Sequence, residues 1–323
     1  MSASTRDSGV RGAGRMAGVL APVLTPFGPD LAPDAPRWIR HCRWLLDQGC
    51  AGLAIFGTTS EANSLSVDER ERLLEQILAA GVDPGRLVVG TGCCALPDTI
   101  RLTRAAVRAG CAGALVLPPF YYKSVSDDGL FRSFAEVIER AGDNQLCMYL
   151  YHIPPIAQVG ISAALLERLL AAYPRAVAGM KDSSGDMENT RAMIARFGGS
   201  GFDVFAGSER FLLATLRAGG AGCITASANV NPAAIARLYR EWRSPDADAQ
   251  QTALDAVRSA LERNAVIPAL KHVVAHFAGD PAWRTVRPPL VPVAENRGAA
   301  LVAELSGRGF GMPGLRTCSE PFS

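Results

Sequence analysis

From Gly18 onward the chain repeats one pattern: a short β-rich apolar run, a polar or glycine-bearing turn, then an amphipathic helical stretch. The runs end near Val23, Phe56, Thr91, Leu117, Tyr151, Lys181, Ala206 and Thr225, spaced by roughly 20 to 35 residues, the length one βα unit occupies. A doubly wound open sheet gives the same alternation. The count of eight favours closure, and the predicted fold is α/β, a (β/α)8 TIM barrel with additional C-terminal helices. Ser66, ahead of Val67-Asp68-Glu69-Arg70, reads as a helix N-cap with acids in the first turn, and Ser162 stands likewise before Ala163 to Ala172. After the eighth run come helical patterns over Pro232 to Trp242, Ala249 to Arg263 and Pro268 to Ala278. A proline-rich connector at Arg287-Pro288-Pro289 and a last helix ending near Leu305 follow. The predicted organisation is a disordered tail over 1–16, the barrel over 17–230, a helical extension packed on it over 231–305, and a C-terminal tail rich in Gly, Pro and Ser over 306–323.

Composition narrows the function classes. A chain of 323 residues, 48% of them hydrophobic, can bury one large core. A formal net charge of +2, spread over mixed signs without a basic stripe and interleaved aromatics, argues against nucleic acid as a partner. No apolar run approaches the roughly 18 residues that span a bilayer, and Met1 to Arg15 has no apolar signal core, so a cytoplasmic protein without membrane partner is expected. The eight cysteines lack paired CxxC spacing and read as reduced, buried and structural. His272 and His276 have zinc-protease spacing but no glutamate after the first, so a plain helical pair is expected and no metal. Gly12-Ala13-Gly14-Arg15-Met16-Ala17 matches a dinucleotide fingerprint, yet it precedes the first strand and offers no helix N-terminus for a phosphate.

In such a barrel, side chains at the C-terminal strand ends face one mouth. Gly57-Thr58-Thr59-Ser60-Glu61 follows strand two, Pro118-Pro119-Phe120-Tyr121-Tyr122 strand four, Tyr151-His152-Ile153-Pro154 strand five, and Lys181-Asp182-Ser183-Ser184 strand six. Lys181 is the most informative of these, because only three lysines occur among the 33 Lys and Arg residues. A guanidinium cannot deprotonate and attack a ketone; an amine can, and burial in an apolar setting favours its neutral, nucleophilic form. Two readings fit: imine formation, or a lysine paired with Asp182 at a strand end. Thr58 and Thr59 are placed either to bind a carboxylate or to cap the following turn. Tyr151 is either a proton shuttle at the mouth or a core aromatic with a satisfied hydroxyl.

Taken together, Gly57-Thr58-Thr59-Ser60-Glu61, Phe120-Tyr121-Tyr122, Tyr151-His152-Ile153-Pro154, Gly179-Met180-Lys181-Asp182 and Gly222-Cys223-Ile224-Thr225 resemble, in order and approximate spacing, the dihydrodipicolinate synthase and N-acetylneuraminate lyase family of class I Schiff-base aldolases, from about Gly18 to Leu305. The resemblance implies that Lys181 forms the Schiff base with a 2-oxo acid, pyruvate by default, and that Tyr151 relays protons. It implies that Thr58 joins Tyr151 to a Tyr122 contributed by a neighbouring subunit, and that Thr59 holds the substrate carboxylate. It further implies that Gly207 and Ile224 line the site through the backbone, that the chain forms a homo-oligomer, typically a dimer of dimers, and that no cofactor takes part. Synthases of the family carry an arginine shortly after the Tyr-x-x-Pro motif, where this chain has Ile156, which disfavours 4-hydroxy-tetrahydrodipicolinate synthesis. Thr225-Ala226-Ser227-Ala228-Asn229 lacks the sialic acid pattern. The expected activity is reversible cleavage of a 4-hydroxy-2-oxo acid or 2-oxo sugar acid to pyruvate and an unidentified aldehyde. Dehydration of a 3-deoxy-2-oxo sugar acid and a non-catalytic ligand-sensing barrel are the alternatives.

Overall fold

The computed structural model describes residues 10–11, 15–142 and 145–315. Eight strands make one closed, all-parallel barrel: β1 (Gly18–Ala21), β2 (Gly52–Ile55), β3 (Leu87–Gly90), β4 (Gly113–Val116), β5 (Met148–His152), β6 (Val177–Asp182), β7 (Asp203–Ala206) and β8 (Gly222–Ile224). Each ends within two residues of its predicted position. Every residue of all eight is buried, because helices cover the outer face while side chains fill the inside. Leu20, Ala54, Val88, Leu115, Tyr149, Ala178, Phe205 and Ile224, one from each strand, pack as a single interior cluster.

Closure, which periodicity alone left open, is made by β8 on β1 through the pairs Gly222 with Gly18, Cys223 with Val19 and Ile224 with Leu20. Gly222 has a φ of 143°, and a Cβ built there would stand 1.9 Å from the Gly18 carbonyl oxygen. Only a glycine lets the seam approach this closely.

The covering helices are α1 (Ala35–Asp47), α2 (Val67–Ala79), α3 (Leu96–Arg108), α4 (Asp127–Ala141), α5 (Ala163–Ala172), α6 (Met187–Phe197), α7 (Leu212–Arg217) and α8 (Pro232–Glu241). The predicted caps form: Ser66 Oγ accepts from Glu69 N at 3.1 Å while Glu69 Oε2 accepts from Ser66 N at 2.8 Å, a complete capping box, and Ser162 Oγ accepts from Leu165 N at 3.0 Å. Three more helices follow: α9 (Ala247–Glu262), α10 (Val266–Phe277) and α11 (Glu295–Gly307).

The structure differs from the expected boundaries in three places. The segment Pro232 to Trp242, assigned to the extension, supplies α8, whose Tyr239 and Ala236 lie beside Gly18 and Gly49, so the barrel runs past residue 230. A helix covering a strand and one covering another helix have the same apolar periodicity, which is why the boundary was misplaced. Of the tail expected over 1–16, residues 1–9 and 12–14 lie outside the described residues. Val10–Arg11 pairs antiparallel with Arg15–Met16, however, Met16 is buried, and Arg15 Nε donates to Asp203 Oδ2 at 2.9 Å. A carboxylate as buried as Asp203 requires a cation, and the segment ahead of β1 delivers it. Of the tail expected over 306–323, residues 316–323 lie outside the described residues, while Pro313 accepts from Trp44 Nε1 at 2.9 Å and Met312 is buried.

The described cysteines are all free, and Cys94 is exposed, against the expectation that all are buried. His272 and His276 are a helical pair on α10, His272 packed against Gly298 and His276 edge-on to Phe277. No described helix is long and apolar enough to cross a membrane.

The seam sets a stability test. Gly222→Ala is expected to destabilise the fold by about 3 kcal/mol through overpacking and backbone strain, whereas Gly81→Ala, at φ 82° with open space around it, should cost about 1 to 2 kcal/mol; urea-denaturation midpoints check both.

Candidate active site

The register of β5 on β6 brings the two most informative residues together. A β-bulge at Met148/Tyr149 shifts the pairing so that Tyr149 faces Gly179 and Tyr151 faces Lys181. Side chains of directly paired residues on neighbouring strands point to one face, here the interior. Lys181 Nζ donates to Tyr151 Oη at 3.2 Å and lies 4.3 Å from that ring's centroid. On its other side Tyr151 Oη meets Thr58 Oγ1 at 3.3 Å. Amine, phenol and hydroxyl thus form one chain, with Lys181 5% and Tyr151 4% exposed.

The alternative partner for Lys181 is taken. Asp182 Oδ1 accepts from Ser184 N at 2.9 Å, and its Oδ2 accepts from Asn189 Nδ2 at 2.9 Å and Thr190 Oγ1 at 2.7 Å, on the side of the strand opposite Lys181. Among the described residues no carboxylate stands within ion-pair distance of Lys181. An amine buried without a counter-charge is costly, and such groups concentrate where chemistry is done.

The capping alternative for the threonines resolves in the same way. In the turn after β2, Gly57 N donates to Ser60 Oγ at 3.3 Å and Thr25 Oγ1 donates to Ser60 O at 2.8 Å, so Ser60 does the capping. Thr58 is left to Tyr151, and the Thr59 hydroxyl bonds to none of the described residues. Gly207 follows β7, where its N–H donates to Asp182 O at 2.7 Å and a Cβ would collide with Ser183 Oγ at 2.0 Å.

These groups line a cleft of about 540 Å³ at the barrel mouth, a volume suited to a small organic substrate. Thr58, Thr59, Tyr151, Lys181 and Gly207 all border it. Ile224 is buried at the end of β8 and does not border it; Ala226, two residues on, does. Tyr122 is not brought to the cleft within the chain: it lies beyond β4, 74% exposed, edge-on to an equally exposed Tyr121 at 5.4 Å. His152 turns away, its Nδ1 accepting from Ile161 N at 3.0 Å, and burial lowers its pKa, with Asp182 opposing.

Sequence reasoning missed the far wall. Arg258 on α9 donates through Nη1 to Ser227 Oγ at 3.2 Å, lies 3.4 Å from the buried Glu209 carboxylate, and donates through Nε to Glu262 Oε1 at 2.7 Å; Arg210 Nη2 reaches Glu262 Oε2 at 2.8 Å. Burial alone would push the Glu262 carboxyl up, but the two arginines hold it below the usual carboxylate range. The i, i+4 spacing of Arg258 and Glu262 was visible in the sequence; which way that helix face points was not. Ile153, Ile156, Val266, Ile267 and Leu290 add an apolar lining. The cleft therefore holds a buried amine, a phenol hydrogen-bonded to it, a hydroxyl bonded to none of the described residues, and both polar and apolar lining. This set suits capture of a small 2-oxo acid and proton movement next to it.

Comparison with known proteins agrees. The dihydrodipicolinate synthetase family model matches residues 15–307. An uncharacterized DapA-like lyase of Chloroflexus aurantiacus is 35% identical over 288 residues, 88% of this chain and 95% of that protein. The crystal structure of dihydrodipicolinate synthase from Agrobacterium tumefaciens superposes with a TM-score of 0.83 at 32% identity, covering 90% of this chain and 98% of that one. YagE, a prophage protein of the dihydrodipicolinic acid synthase family from E. coli K12 solved in complex with pyruvate, gives 0.82 at 27% identity, covering 91% and 99%. With its fold and nearly its whole length matched, the chain belongs to the dihydrodipicolinate synthetase family and is a lyase of the aldolase type.

Proposed function

We propose that the protein acts on pyruvate through a Schiff base on Lys181, making or breaking the C3–C4 bond of a 4-hydroxy-2-oxo acid or 2-oxo sugar acid. The observation that carries this reading is the buried Lys181 amine, without a described carboxylate in ion-pair reach and bonded to the Tyr151 hydroxyl. Neutral Lys181 adds to the C2 carbonyl of the keto acid, the carbinolamine loses water, and a protonated imine forms. In the cleavage direction the C4 hydroxyl loses its proton, the C3–C4 bond breaks, and its electrons flow into the iminium to give an enamine and an aldehyde. Protonation at C3 and hydrolysis then release pyruvate and regenerate the amine. Tyr151, between Lys181 and Thr58, is the group in reach to carry those protons.

Thr59 has a hydroxyl free for the substrate carboxylate, and Gly207 presents backbone to the same cleft. We assign Ile224 a supporting place behind Ala226. Pyruvate bound by YagE supports the choice of keto acid. Ile156, 64% exposed at the cleft, stands where a synthase would hold a carboxylate-binding arginine, so the acceptor of dihydrodipicolinate synthesis is not the one we propose. The exposed Tyr121 and Tyr122 pair supports assembly of a homo-oligomer, a dimer of dimers by resemblance, in which Tyr122 completes the site of a neighbour. Free cysteines and the absence of a membrane-crossing helix among the described residues support work in the cytoplasm.

Borohydride added to protein and pyruvate is expected to fix a pyruvyl adduct on Lys181, located by peptide mapping. Lys181→Arg should fold, keep the charge and give no adduct or turnover; an adduct on another lysine, or none on a folded wild type, sinks the imine mechanism and favours a ligand-sensing barrel. Tyr151→Phe is expected to slow imine formation and turnover by roughly 10²- to 10⁴-fold while the fold survives, as stopped-flow trapping and circular dichroism will report.

A further inference from the structure

We propose that the ion pair between Glu61 and Lys271 is a positioning device: it fixes the turn carrying Thr58 and Thr59 and couples that turn to helix α10, which walls the cleft. The proposal rests on the reading of Thr58 and Thr59 given above. Glu61 closes the Gly57–Glu61 turn with φ 55° and ψ 34°, a left-handed conformation uncommon outside glycine. A non-glycine residue stays there only when its surroundings over-determine it. Here they do, since the side chains of Glu61 and Lys271 are both 0% exposed and pair with each other. The second carboxylate oxygen of Glu61 accepts from Arg287 N at 3.0 Å, and Lys271 Nζ donates to Thr285 O at 2.8 Å. The Lys271 ammonium also lies 4.4 Å from the centroid of Phe27, whose ring Arg287 shares at 4.7 Å. Two segments distant in sequence from Glu61, the helix through Lys271 and the stretch through Arg287, therefore converge on one carboxylate.

The pair reaches the chemistry from both ends. Glu61 N donates to Thr58 O at 3.0 Å, so a shift of Glu61 moves the residue that holds Tyr151. Lys271 stands one helical turn beyond Ile267, which borders the cleft, so α10 presents a wall residue and the anchor along one face. Neither residue touches the space where substrate would bind; both act through the turn.

Charge supplies a separate handle. Burial pulls the Lys271 amine down to about 8; Glu61 opposes that fall and Arg287, the other charge facing it, adds to it. Below that pH the pair is intact, and above it Glu61 loses its partner charge. Stability has the opposite sign: the folded-state value lies below the ordinary 10.5, the unfolded chain holds the proton longer, and this group's contribution to stability rises between about 8 and 10.5. Activity lost in that window through Lys271 is thus loss of positioning, not unfolding.

The test measures borohydride-trapped pyruvate adduct against time, pyruvate concentration and pH, with thermal melts, for wild type, Lys271→Arg, Lys271→Met and Glu61→Gln. Wild type should show an alkaline limb near pH 8, and Lys271→Arg, charged throughout, should move it upward. Lys271→Met and Glu61→Gln should capture pyruvate roughly 10- to 100-fold more slowly, with a higher half-saturating concentration. A folded Lys271→Met or Glu61→Gln that captures pyruvate at the wild-type rate, or a limb unmoved in a folded Lys271→Arg, overturns the proposal. Should the Lys271 variants fail to fold, the isosteric Glu61→Gln decides. Wild type that traps no pyruvate brings down the Schiff-base reading and this one with it; wild type that traps it while the variants match it brings down this one alone.

Discussion

Every other feature depends on the sheet closing on itself between β8 and β1. Parallel strands leave unpaired backbone at an open edge, and pairing Gly222 with Gly18 removes both edges at once. Closure also makes a mouth: with the barrel shut, eight turns surround one axis, and side chains from strands far apart in sequence face each other across it. The contact among Lys181, Tyr151 and Thr58 joins three separate strand ends in this way. The seam cannot absorb a methyl group, so the requirement falls on backbone geometry instead of on side-chain chemistry.

The three lysines show how the fold allots amines in a chain otherwise rich in arginine. Lys123 donates to backbone carbonyls, including Ala157 O at 2.8 Å. Lys271 is buried against a carboxylate, a pair whose desolvation is offset in part by its further bonds to Thr285 O and from Arg287 N. Lys181 is buried with a phenol. An arginine in its place would find no acceptor for its fork and would carry a charge it cannot shed.

Much of this was legible in the sequence and some was not, for identifiable reasons. The strand ends were readable because doubly buried parallel strands leave continuous apolar runs, and Lys181 stood out as a rare amine ending one of them. The position of Tyr151 beside it was beyond periodicity, since it depends on the bulge that sets register. Arg258, Glu262 and Arg210 went unseen because their meeting depends on how α9 packs over the β7 turn, and a helix pattern does not say what it covers. The role of Pro232 to Glu241 was misjudged for the same reason. Arg15 and Met16 read as a tail in the sequence because a glycine-rich composition hides a cation that pairs with the interior Asp203. Tyr122 could be named only by resemblance, and within a single chain it has no route to the cleft.

The bulge at Met148/Tyr149 makes the site a matter of reading frame. The alternation of β6 with respect to β5 is reset there by one residue, so Lys181, and not Asp182, ends on the inner face. A ladder running on from Met148 and Val177 without that shift would set Tyr151 opposite Met180 and turn the Lys181 amine into the helical shell.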